Sequence, residues 1–369
     1  MSGLTKQNQS NPNPQGKTIQ CTSDAGFIEW LVTSGGSLVV STYQAGKVLM
    51  LGWDGEKLTL LMRQYDKPMG FDVSGKKLAL ATRNHITIHA NDPVLAHSYK
   101  KPGQYDALFL PKVSWHTSDL NTHDIAFAND QLWVANTRFS CLATLSDEHS
   151  FIPQWHPPFI TEIAPEDRCH LNGLAMVNNK PRYVTCLGET NTPGGWREQK
   201  ATGGVVIDIK TNEVVMRNLA MPHSPRYYRE HLYVLNSGAG ELLRFDPETG
   251  HREVVCALPG YLRGLSFFGR YAIIGLCKIR ESNIFGGMPV QKQHKKLLCG
   301  IGIVDIKTGK QQGLFEFTAG CEEVFDTQFL EDTQRPNILA PERPEALEAF
   351  NAPDFSYWIR PENLVKDYR

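Results

Sequence analysis

Six short segments of the chain open on a polar or small residue and run into alternating apolar ones. The fullest is Cys169-His170-Leu171-Asn172-Gly173-Leu174-Ala175-Met176. Weaker copies begin at Met69-Gly70-Phe71, His123-Asp124-Ile125, Ser224-Pro225-Arg226, Arg263-Gly264-Leu265 and Val324-Phe325-Asp326. Apolar residues at every second position mark a strand with one buried face. Most copies then meet a turn, such as Ser74-Gly75 or Asn178-Asn179, and a second apolar run. They recur roughly 40–60 residues apart, close to the length of a four-stranded propeller blade.

This repeat predicts an all-β fold, a β-propeller of six four-stranded blades. The cleanest unit runs from 223 to 260, with strands expected near 226–228, 231–235, 241–245 and 252–257 and a turn at Asp246-Pro-Glu-Thr-Gly250. Strands expected at 37–63 lack an inner strand of their own, and the copy at Asp326 has few strands after it. Pairing the two closes the ring and removes the exposed sheet edges of an open array. Seven blades, with 324–340 starting an incomplete one, is the runner-up count. A short helix is expected at 26–34.

Three regions follow. Residues 1–24 form a disordered lead-in whose first seventeen residues are rich in Asn, Gln, Ser and Pro. The propeller covers 25–340. Residues 341–369 form an extension docked on it through Phe355, Tyr357 and Trp358.

Composition narrows the function. Lysine and arginine number 38 against 39 acidic residues, a formal charge of −1. That balance gives no electrostatic reason to expect nucleic acid or an anionic membrane surface. No apolar run approaches the ~20 residues of a membrane helix, and the N-terminal stretch lacks the apolar core of a secretory signal. The eight cysteines are scattered without a CxxC pair. They read as reduced core thiols of a cytoplasmic protein, not as a zinc site.

In a propeller, the loop into each inner strand and the loop after each second strand share one face around the channel, where a rigid scaffold carries function. Sorting the sequence by this rule collects polar residues on that face, with the inner wall otherwise apolar. His123, His170 and His223 come from three successive repeats. They are candidate acid–base groups, or ligands for a divalent transition metal, with Glu189 or Glu323 as base or further ligand. Their register is imperfect: His123 aligns with Asn172, not His170, and His223 is offset by one. A calcium site built from Asn172, Asn236 and Glu323 is a further option. Asn136, Arg138, Asn172, Asn236, Arg263 and Arg280 are candidate substrate-binding residues. Arg263, Lys278 and Arg280 would hold a carboxylate or phosphate, or else pair with Glu281, Glu322 or Glu323. Insertions at 188–204 and 279–299, carrying Trp196 and Phe285, are expected to cover this face as lids or pocket walls. The pair His85 and His89 reads as a solvated strand face. HExxH, GxSxG, Walker and GxGxxG motifs are all missing.

Several motifs together carry a resemblance. They are Ser41-Thr-Tyr-Gln-Ala-Gly-Lys47, Asn121-Thr-His-Asp-Ile-Ala126, Trp133-Val-Ala-Asn-Thr-Arg-Phe-Ser-Cys-Leu142, His170-Leu-Asn-Gly-Leu-Ala175 and Leu235-Asn-Ser-Gly-Ala-Gly240. Over about 25–340 the chain resembles a bacterial family of conserved hypothetical proteins with a propeller-like domain of unknown function. The resemblance implies the propeller and no activity. Its matched motifs include His123, Asn136, Arg138, His170, Asn172 and Asn236.

Two functional readings stand. In one, an enzyme uses the polar face, with metal assistance, on a small polar or anionic substrate. In the other, the same residues recognise a ligand or a protein partner without chemistry.

Overall fold

The computed structural model describes residues 18–129, 131–279 and 286–359. Six four-stranded antiparallel sheets stand in a ring, as the repeat predicts. In chain order the inner strands of blades 2 to 6 are Phe71–Ser74, Thr122–Ala128, Leu171–Val177, Pro222–Tyr228 and Tyr261–Phe268. Blade 1 is the closure. Its inner strand, Asp326–Leu330, pairs with Ser37–Thr42, so that Ser41 faces Asp326 and Ser37 faces Leu330. Lys47–Trp53 and Leu58–Gln64 complete it. A C-terminal strand thus locks onto N-terminal ones and closes the ring. The helix expected at 26–34 spans Ala25–Ser34, capped by the Asp24 carboxylate.

The blades pack through apolar side chains from facing sheets. Val184, Leu174 and Ile207 of blade 4 meet Ala135 and Leu142 of blade 3, and Leu232, Val234 and Leu243 of blade 5 meet Tyr183 and Val206 of blade 4. Gly173 lies at a close approach of blades 4 and 5, since a Cβ there would collide with the Pro225 ring.

The inner wall departs from expectation. It carries Asp72, Asp124, Arg226, Asp326 and Gln328. Their side chains bind main-chain groups of the next blade. Asp326 accepts from Phe71 N (3.4 Å), Asp72 from Phe127 N (2.8 Å) and Asp124 from Leu174 N (3.0 Å). Ser224 accepts from Gly264 N, and Arg226 donates to Leu265 O. Neighbouring inner strands do not pair with each other, so their inward main-chain groups need partners, and polar side chains at this position supply them. An apolar wall would leave those groups bare.

Two outer additions extend the ring. Gln20–Ser23, at the end of the expected lead-in, is a strand on the outside of blade 6, so that lead-in is not wholly irregular. Pro336–Ile338 adds in parallel to the outer strand of blade 2. Beyond it, Ala349–Ala352 and Phe355–Trp358 form a hairpin. Trp358 packs on Tyr99 at 5.5 Å and donates to Ser98 Oγ, while Phe355 and Tyr357 face solvent. All eight cysteines are free, seven of them buried. His89 is buried, not solvated, and burial pushes its pKa down to about 4. Among the described residues no helix is long and apolar enough to cross a membrane.

Candidate functional site

The inner strands of blades 3 to 6 share a local device. Each carries one extra residue at its start, between Thr122 and Ile125, Leu171 and Gly173, His223 and Arg226, and Leu262 and Leu265. Such a bulge turns a side chain out of the ladder and re-aims it. It also settles the register. Thr122 faces Asn136 and Pro222 faces Asn236, and both strands carry the same bulge, so His123 and His223 are equivalent and the one-residue offset expected for His223 is not present.

The two rings are held in the same way. His123 Nδ1 lies 2.9 Å from Asn121 O and 2.9 Å from Thr137 Oγ1. His223 Nδ1 lies 2.8 Å from Met221 O and 3.1 Å from Ser237 Oγ. A main-chain carbonyl only accepts, so Nδ1 carries the proton and Nε2 keeps its lone pair. Asn121 and Met221 are both left-handed (φ 53° and 51°), which bends each carbonyl back toward its ring.

His170 is held differently. It precedes its strand, itself left-handed (φ 50°), and its Nδ1 meets the Asp167 carboxylate at 2.9 Å. Asp167 is also left-handed and accepts from Trp196 Nε1 at 3.1 Å. Each left-handed non-glycine residue costs roughly 1 kcal/mol or more, and such strain concentrates at functional sites. The His170 ring lies 4.7 Å from His123 and 4.5 Å from Trp196, and His123 lies 6.4 Å from His223. Three successive blades therefore bring their histidines into one cluster.

Beneath them lies a small recess lined by His123, His223, Asn172, Arg263, Phe325 and the Asp124–Arg226–Asp326 group. Its cavity volume of about 10 Å³ is room for about one water. Arg263 pairs with Glu323 at 2.7 Å and sits 3.7 Å over the Phe325 ring. Burial holds the His123 pKa well below its usual value, aided by His170 and Arg263. Burial does the same to His223, aided by Arg263. Both imidazoles are neutral at physiological pH. On the floor, Arg226 binds Asp124 (2.7 Å) and approaches Asp326 (3.7 Å). Burial raises Asp326 to about 7, against the pull of Arg226.

The other candidate residues have separate places. Glu189 is outside the recess, bound to Arg217 over a second cavity. Asn172 donates to Pro222 O and accepts from Thr185, tying blades 4 and 5 together. Asn236 accepts from Ala220 N and donates to Glu241, and Asn136 accepts from Phe139 N, so both shape loops. Arg138 pairs with Asp119 at 3.0 Å, and its carbonyl accepts from Asp167 N. Asn172, Asn236 and Glu323 are each engaged separately. Arg280 and Phe285 lie outside the described residues. Among the described residues no group of three or more His, Cys, Asp or Glu stands in metal-holding geometry. Trp196 does wall the face, as the insertion predicts. Sequence reasoning placed Ser237 on this face but missed Asp167 and Thr137. Thr137 was legible from the shared Asn-Thr and Asn-Ser ending of the second strand.

A family described as "Domain of unknown function (DUF4915)" matches residues 25–339. No curated protein matches the sequence. A chain of the structure described as "Crystal structure of Nidogen/Laminin Complex" superposes with TM-score 0.52 and 8% identity, over 80% of this chain and 99% of its own. At that identity the likeness concerns the fold alone.

Proposed function

Because the chain belongs to the DUF4915 family, whose description assigns no reaction, we propose from the site alone that the recess processes a small anionic or polar molecule by histidine acid–base chemistry. One observation carries this reading: three imidazoles from three blades meet in a cluster, each with Nδ1 tied to a fixed partner. His170 is the general base, oriented by Asp167 as an orienting carboxylate fixes tautomer and direction elsewhere. Neutral His123 and His223 offer Nε2 to a substrate proton. Arg263 holds an anionic group, with Glu323 and Phe325 fixing its guanidinium. The recess admits little more than one water, so a substrate presents only its reacting group there.

The test is proton NMR of the histidine ring resonances with acetate, oxalate and phosphate as probes. At least one anion is expected to shift the His123 and His223 signals, and the shift disappears in Arg263→Met. Undisturbed imidazole signals with all three anions would refute the reading.

A metal-assisted version of the site has one observation in its favour. With Nδ1 committed in all three rings, each Nε2 is available to a cation. Arg263 beside the rings opposes a cation, and the rings would have to turn to share one. Metal analysis of protein purified without a tag or chelator, beside a His123→Ala, His170→Ala variant, separates the two versions. Stoichiometric Zn, Fe, Cu or Mn lost in the variant supports the metal.

A further inference from the structure

The insertion after the second strand of blade 4 borders a second, partly open cavity that the histidine cluster does not use. Its volume is about 250 Å³. The short 3₁₀ turn Gly195–Gln199 forms one side, and Arg217 and Asn218 on the outer strand of the blade form the other. Glu189 reaches across to Arg217. Trp196 belongs both to this cavity and to the stack on His170, so the two sites share a wall. The indole is rigid, because its Nε1 is bound to Asp167 and the Arg197 guanidinium lies 4.4 Å over its ring.

The lining defines what fits. The Arg217 charge is answered by Glu189, and Glu198 adds a second carboxylate, so an anion is disfavoured. Gln199, Thr202 and Asn218 bring amides and a hydroxyl, which both donate and accept. Among the described residues lining it Val205 is the one aliphatic side chain, so an apolar ligand finds few contacts. Hydroxyl groups are the ligand chemistry that donates to carboxylates while accepting from a guanidinium and amides. The volume leaves room for a ring of roughly a dozen non-hydrogen atoms. We infer that this cavity binds a small uncharged polyol or monosaccharide, with Glu189, Arg217 and Asn218 as its hydroxyl partners. The inference is independent of the chemistry assigned to the recess.

Saturation-transfer NMR on the full chain tests it, with glucose, galactose, mannose and myo-inositol as probes at millimolar concentration. At least one probe is expected to receive saturation. Thr202→Trp, which fills the cavity, abolishes the transfer, and Glu189→Gln weakens it about tenfold. His123→Gln leaves it unchanged. Absence of transfer from all four probes overturns the inference. So does transfer that persists in a Thr202→Trp protein with a wild-type melting curve, or transfer lost in His123→Gln.

Discussion

Replacing Arg226 by Met removes the cation that binds Asp124 and approaches Asp326 in the channel. The guanidinium also donates to Leu174 O and Leu265 O, so it lashes the main chains of blades 4 and 6. Removing one partner of a buried ion pair costs about 3–5 kcal/mol. For roughly 340 folded residues the unfolding entropy is about 0.7 kcal/mol per kelvin, so 4 kcal/mol lowers Tm by about 6 °C. The pH dependence is the sharper test. The folded pKa of Asp326 is raised to about 7, above an unfolded value of about 3.9. Ionising it therefore opposes folding, and the stability held by its protonated form is complete below about pH 4 and lost as pH rises toward 7. Asp72, also raised by burial, acts in the same direction. In Arg226→Met these groups lose the cation that tempers the cost. The penalty is then greatest at pH 8 and at least halved at pH 5, where protons replace the guanidinium. Calorimetry or near-UV circular dichroism melts at the two pH values measure this. Adding Asp326→Asn to the variant is expected to restore part of the loss at pH 8 and little at pH 5. A Tm loss under 2 °C at pH 8, or equal losses at both, would refute the charge argument.

Further outcomes follow from the geometry. The His123 and His223 ring protons titrate well below pH 6.5, and because their folded pKa values are lowered, the stability tied to them is intact above about pH 6.5 and lost progressively as pH falls below it toward the folded values. A midpoint near 6.5 for either ring would contradict its burial. Asp167→Asn removes the charge that fixes His170 and shifts its nitrogen-15 signals toward a tautomer mixture, while those of His123 stay put. Gly173→Ala forces a methyl against the Pro225 ring and costs about 1–3 kcal/mol in urea unfolding; a neutral result would mean that blades 4 and 5 have slack between them. Ending the chain before Asp326 deprives Ser37–Thr42 of its inner partner, and the truncated protein is expected to lose its cooperative melt.

Much of the scaffold was legible because strands write themselves locally. Alternation along Leu171–Val177 or His231–Asn236 needs no knowledge of distant residues. The histidines were legible as candidates for the same reason, since each sits at the start of an inner strand. Their order in the cluster was not. His170 looked misaligned with His123, yet a left-handed backbone at both Asp167 and His170 folds that ring back beside it. Glu189 looked like a partner for them, but the insertion turns it outward to Arg217.

The sequence by itself determined the repeat and the N-to-C closure and put six blades ahead of seven, because period-two burial and turn residues act over a few positions. Only the tertiary structure decided the channel. Asp124 and Arg226 stand 102 residues apart in the chain and meet because the ring closes. The bulges that aim His123 and His223 each add a single residue that alternation alone does not locate. The polar inner wall likewise answers a need that arises only between blades, where inward main-chain groups of unpaired neighbouring strands must find partners.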